Sequence, residues 1–252
     1  MFRNHPIRLT LAVLAVVALV ATSAHGATLL TFQSHQDEFA MQGQTQPARD
    51  SEAKIWVGDG VIVRDDDQSR VILTDEKLYL VNHEAKTYNV LDLPVNMEEL
   101  LPEQMMAQYN QMKEMATMSA EVAPVDETRE VGDWSAKRYN VTLTNQMGFT
   151  MEQVIWASPD VAVDPALYND LTEALAKLQP GGGEWVSALD AIEGFPVLRE
   201  TTMSIGPDTT VKTHEELLSV EEKDAPEGIF APPADYEEQE FNVGGGGPSA
   251  EG

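Results

Sequence analysis

Lys54-Ile-Trp-Val57, Val61-Ile-Val63, Arg70-Val-Ile-Leu-Thr74, Lys77-Leu-Tyr-Leu-Val81 and Thr87-Tyr-Asn-Val-Leu91 follow one another within 38 residues. Each is a short β-branched or aromatic run, and four turn-forming segments separate the five: Gly58-Asp-Gly60, Asp65-Asp-Asp67, Asp75-Glu76 and Asn82-His-Glu-Ala-Lys86. Runs of this length and spacing predict an antiparallel meander. Several are apolar on both alternating faces, Leu78 and Leu80 on one side and Tyr79 and Val81 on the other. A sheet with one wet face alternates apolar with polar, so both faces of this meander are predicted to be covered.

Working outward, Leu29 to Gln33 reads as an earlier strand, followed by a polar stretch from Gln42 to Asp50. Downstream, Asn96 with Glu99 forms a capping pair, and Pro102 opens a helix on which Leu101, Met105, Tyr109, Met112 and Met115 recur at helical spacing. This Met-rich helix is the expected cover of the meander. A second β block spans Glu121 to Trp156, with Tyr139, Val141 and Leu143 alternating against Asn140, Thr142 and Thr144. Asp164-Pro165 then starts a helix carrying Leu167, Leu171, Leu175 and Leu178, which Pro180-Gly-Gly-Gly183 stops. Trp185, Leu189 and Ile192 add a further helical turn or two. A last hairpin runs from Val197 to Val220 around Gly206-Pro-Asp208, and residues 242–252 form a Gly-rich tail expected to be flexible. Strands, helix, strands, helix, strands is the order of an α+β fold built on one large antiparallel sheet.

Residues 1–26 read as a secretory leader. Arg3 and Arg8 precede the apolar run Leu9 to Ala21, and small residues follow it, placing cleavage between Ala24 and Ala27. The run is thirteen residues, whereas a spanning helix needs about 20, so no stable membrane anchor is expected. The product is a periplasmic or secreted domain over 27–241. No Cys is present, which excludes thiol catalysis, thiolate metal sites and acylation at a Cys. The leader holds two basic residues and no acid, so its loss takes the net charge from −26 to −28. Such a field repels nucleic acid and favours basic partners.

No catalytic pattern emerges. His35, His83 and His214 are scattered, His214-Glu-Glu216 lacks the second His of a zinc helix, and no nucleophile elbow, phosphate loop or dinucleotide fingerprint occurs. Asp65, Asp67, Ser69 and Glu76 copy four positions of a calcium loop, but Arg70 holds the position that requires Gly, so the run reads as a hairpin turn. Neither an enzymatic activity nor a cofactor is indicated. Six of the eleven Met lie between Met97 and Met118. Met112, Met115 and Met118 at helical spacing offer soft thioethers to Cu(I), or else the cluster is adaptable apolar surface.

Lys54-Ile-Trp-Val57, Arg64 after the next strand, and Asp75-Glu-Lys-Leu-Tyr-Leu80 resemble the periplasmic lipoprotein-carrier superfamily typified by LolA and LolB. In that superfamily an apolar-Trp-Val strand, an Arg strand and a D-G-K-x-L-W-x-Y strand come in this order. Gly228-Ile-Phe-Ala-Pro-Pro233 is similar to its closing segment, and a related family of uncharacterised exported domains shares these features. The resemblance implies a curved half-barrel whose helices cover the concave face and enclose an apolar cavity. Trp56, Leu78, Leu80, Met105, Tyr109 and Met112 would border it, and Arg64 would tether a lid. It also implies a non-enzymatic carrier of a lipid or other apolar ligand. An acidic module docking a basic protein is the other reading of the charge.

Overall fold

The computed structural model describes residues 26–41, 44–204 and 209–241. Residues 1–25, which hold most of the expected leader, residues 42–43 and 205–208, and the expected Gly-rich tail at 242–252 lie outside the described residues. The meander occupies β4 (Arg49–Gly58), β5 (Val61–Asp65), β6 (Ser69–Thr74), β7 (Lys77–Asn82) and β8 (Thr87–Asp92). The first strand, β1 (Gly26–Gln36), is longer than its apolar run suggests, and the polar stretch after it holds a small hairpin of β2 (Phe39–Met41) and β3 (Gln44–Gln46). The second block is β9 (Met118–Val131), β10 (Trp134–Asn145) and β11 (Thr150–Ser158), and β12 (Phe195–Ser204), β13 (Thr210–Asp224) and the two-residue β14 (Glu237–Glu238) complete the strands.

Twelve of these strands make one sheet in the order β14-β8-β7-β6-β5-β4-β1-β13-β12-β11-β10-β9. All neighbours are antiparallel except β14, which joins β8 in parallel. β1 therefore lies mid-sheet, between β4 on one side and β13 on the other, and stitches the two meanders together. The architecture is α+β with a curved, unclosed antiparallel sheet, as expected.

Register explains the doubly apolar strands. Val57, Ile62, Leu73, Leu78 and Leu91 pair across β4 to β8 on the inner face, beside the row Leu30, Ile55, Arg64, Val71 and Leu80. On the outer face Leu29, Trp56, Val63, Ile72 and Tyr79 pair in the same way. Both rows are covered, but not by the helix that sequence adjacency suggests. α3 (Pro165–Ala176) covers the inner face with Tyr168, Leu171 and Ala174 buried, and its Asp164 cap accepts the Ala166 N–H at 2.9 Å. The segment around Ile229, Phe230 and Tyr236 covers the outer face.

The Met-rich segment forms a short turn of helix, α1 (Met97–Leu100), capped by Asn96, and α2 (Glu103–Ala116), with Pro102 at the N-cap rather than at the first helical position. α2 buries no residue, which corrects its expected role as the cover. Gln, Asn and Glu interrupt its Met positions, so it has less apolar area to bury than the Leu stripe of α3. Trp185 to Ile192 becomes a 3-10 segment (Val186–Ala191) whose Val186 and Leu189 pack on Tyr139, Val141, Leu143 and Ile155 of the second block. No helix among the described residues is long and apolar enough to cross a membrane.

At the far end of β1, His35 pairs in register with Asp50, its Nδ1 2.7 Å from the carboxylate, while Nε2 stands 3.4 Å from Asp37. The Asp50 hydrogen bond raises the imidazole pKa above its ordinary value, slight desolvation opposes it, and Asp37 adds to the rise. The folded value exceeds the unfolded one. The stabilisation is therefore complete below the unfolded pKa and is lost as pH rises through the folded one. Asp50→Asn is expected to bring the His35 titration midpoint down toward about 6.5, read by NMR; an unmoved midpoint would dismiss the pair.

Candidate functional site

The inner face is not filled edge to edge. A groove of about 400 Å³ opens between β5, β6 and α3. Ile62 and Leu73 form its floor, Leu93, Pro94 and Val95 close one side, and Leu167 and Ala174 of α3 form the opposite wall. The floor is apolar because β5 and β6 present alternate residues inward, and the wall is apolar because the Leu167 side of α3 faces the sheet. At about 400 Å³ it lies in the range of small-molecule sites. A second cavity of about 250 Å³ shares Val95, Glu173 and Lys177 with the first and extends toward Tyr109 and Lys113 of α2 and the glycines 181–183.

The rim is charged. Lys177 Nζ lies 2.6 Å from Glu173 Oε1 one turn earlier on α3, and Lys113 Nζ lies 3.0 Å from Glu98 Oε1. Asp75 and Asp170 face the groove from the sheet turn and the helix respectively, and neither belongs to an ion pair among the described residues. Desolvation, helped by Glu173, Asp164 and Asp190, raises the Asp170 pKa above the usual carboxylate value. Desolvation also raises the Tyr109 pKa, against the nearby Lys113 charge.

The residues singled out from the sequence do not meet in one place. Leu78 and Leu80 are wholly buried in the inner cluster beneath the groove. Tyr109 is half-buried and lines the second cavity. Trp56 lies on the opposite face of the sheet, in the outer cluster, with Lys223 Nζ 5.7 Å from its ring centre. Strand alternation separates it from Leu78 and Leu80, so the three cannot border one cavity. Met105 and Met112 are exposed on α2 and line neither cavity. Met115 is also exposed, and Met118 falls after the helix, in β9 against the second block, so the three thioethers of the copper reading do not share a helix face.

Arg64 faces inward between Ile55 and Val71, half-buried. The Asp65 carboxylate beside it is engaged instead by Arg70, Nε to Oδ1 2.7 Å. No cluster of three or more His, Cys, Asp or Glu suited to a metal occurs among the described residues, and the acidic turn is a tight loop in which Asp66 accepts the N–H groups of Gln68 and Ser69. Leu93, Val95, Ala174 and Lys177 belong to no motif in the sequence, and Asp75 stands there only as a turn residue and in the carrier-like strand motif. Leu167 was visible through its helical stripe, but only the packing of α3 shows what that stripe encloses.

No curated protein matches the chain. Among solved structures it is similar to an uncharacterized conserved protein from Thermus thermophilus, at 6% identity over 84% of this chain and 90% of that one, with a TM-score of 0.39. It is also similar to a LolA superfamily protein from Nitrosomonas europaea, at 7% identity over 82% and 90% of the two chains, with a TM-score of 0.31. Residues 59–236 match the family model described as a domain of unknown function, DUF4412, a span that includes every residue lining the groove, and the chain belongs to that family.

Proposed function

We propose that this is an exported binding protein that holds an apolar ligand, a lipid or small amphiphile, in the groove between β5, β6 and α3, and that it works without covalent chemistry. The observation that carries this reading is a groove of about 400 Å³ between sheet and helix, with the core residues Ile62 and Leu73 at its base and the half-buried Leu93 and Leu167 on its walls. Moving a ligand chain into such a groove removes the chain's own apolar surface from water, worth about 0.8 kcal/mol per buried methylene. The leader reading of residues 1–26 supports a periplasmic or secreted setting, where a soluble carrier has a use.

The neutral probe N-phenyl-1-naphthylamine tests the groove. Saturable fluorescence enhancement near one equivalent is expected. Leu167→Trp, which enlarges a half-buried wall residue, should weaken it several-fold while circular dichroism stays unchanged. Absence of saturable binding by the unaltered protein, or equal binding by the Trp variant, would refute the groove as the site. Native mass spectrometry of protein prepared without detergent should show a retained apolar adduct.

A further inference from the structure

Each lysine that lines the groove or the adjoining cavity is already engaged. Lys177 is held by Glu173 at 2.6 Å and Lys113 by Glu98 at 3.0 Å. An anionic head group entering here would have to break one of these pairs, and it would approach a chain whose net charge is −26. The carboxylates are in the opposite condition. Asp75 on the sheet side and Asp170 on the helix side border the same apolar floor, and neither has a cationic partner among the described residues.

Given that the groove is the ligand site, we infer that it takes an amphiphile with a cationic head group, its chain on Ile62, Leu73 and Val95 and its ammonium between Asp75 and Asp170. A quaternary or primary ammonium supplies the positive charge that the rim lacks, while the floor supplies chain burial that a simple inorganic cation does not use. The environment of Asp170 agrees. Partial desolvation and the neighbouring Glu173, Asp164 and Asp190 disfavour the charged form of this exposed carboxylate, so a cation beside it offsets that cost. The acidic rim also discriminates against fatty acids and anionic phospholipids by repulsion.

Three probes with the same twelve-carbon chain test the head group below their micelle concentrations: dodecyltrimethylammonium, dodecyl maltoside and dodecyl sulfate. Each is titrated by calorimetry and by displacement of N-phenyl-1-naphthylamine. The cation is expected to bind at least about tenfold more tightly than the sulfate. The double variant Asp75→Asn/Asp170→Asn should lose roughly three- to tenfold in affinity for the cation, with the maltoside unchanged. Raising the salt should narrow the gap between cation and sulfate.

Equal binding of all three chains, unmoved by the double variant, would overturn the head-group inference and leave the apolar groove standing. Preference for the cation that persists unchanged in Leu167→Trp would also overturn it, since the charge recognised would then lie elsewhere on the acidic surface. No binding of any chain, together with no binding of the neutral probe, would remove the groove reading itself.

Discussion

Gly182→Ala is expected to destabilise the protein by about 2–3 kcal/mol, the scale of overpacking in a close-packed site. A methyl at this position would overlap the carbonyl oxygen of Ala176 at the end of α3, and a backbone oxygen cannot move aside as a side chain would. Its neighbour Gly181, at φ +68°, lies close against the end of the other helix. There, a Cβ would stand 2.5 Å from the Thr117 nitrogen and 2.7 Å from the Lys113 carbonyl oxygen. The turn is thus wedged between the C-terminal ends of α2 and α3, and it also forms one end of the second cavity. In a domain of this size a loss of about 2–3 kcal/mol lowers the melting temperature by roughly 5–10 °C. Gln179→Ala, at an exposed position in the same turn, is the control and should melt within about 1–2 °C of the unaltered protein. Equal melting of the Gly182 and Gln179 variants would show that the turn has room to shift.

Pro180-Gly-Gly-Gly183 reads in the sequence only as a helix stop, because its composition reports backbone freedom and not what the backbone approaches. The same distinction runs through the whole chain. The five strands of the first meander are legible because a turn signal separates each short β-branched run from the next, which is local information. The location of β1 is not legible, since its pairing with β13 joins Ala27 to Lys223 across nearly the full length of the domain. Burial on both faces follows from Leu78 to Val81, but the identity of the covers does not. α2 is nearest in sequence and rich in Met, yet α3 carries the stronger apolar stripe and takes the inner face. The groove depends on residues from both meander strands, the segment after β8 and one face of α3, and no contiguous motif brings these together. Trp56 shows the limit of a signature residue. Its strand is evident in the sequence, but its side chain faces outward, and only the register across β1 and β5 decides which face that is.

The outer cover provides the other large expected effect. Ile229→Ala should cost about 2–5 kcal/mol, the range for truncating a buried aliphatic side chain whose site does not collapse. Ile229 is only 5% exposed and seals Leu29, Trp56, Val63, Ile72 and Val81 from water. The segment that carries it has few regular backbone pairings of its own; β14 adds only Glu237 and Glu238 beside Thr87 and Tyr88. A polar knot holds the rest. Asp65 Oδ1 accepts from Arg70 Nε at 2.7 Å and lies 3.3 Å from His83 Nε2, while His83 Nδ1 meets the Tyr236 hydroxyl at 3.0 Å. Arg70 reaches over to the Gly228 and Ala231 carbonyls at 3.4 and 3.5 Å. Asp65→Asn leaves Arg70 and His83 facing a neutral amide in a partly buried setting, a loss of about 1–3 kcal/mol. The two anchors act on one segment, so their effects should not add. Once Ile229 is truncated and the segment has loosened, Asp65→Asn should cost at least about 0.5 kcal/mol less than it does in the unaltered protein. Urea denaturation of the two single variants and the double variant measures this coupling. Additivity within about 0.3 kcal/mol would mean that the knot stabilises the sheet turn alone and the cover is held by its apolar contacts.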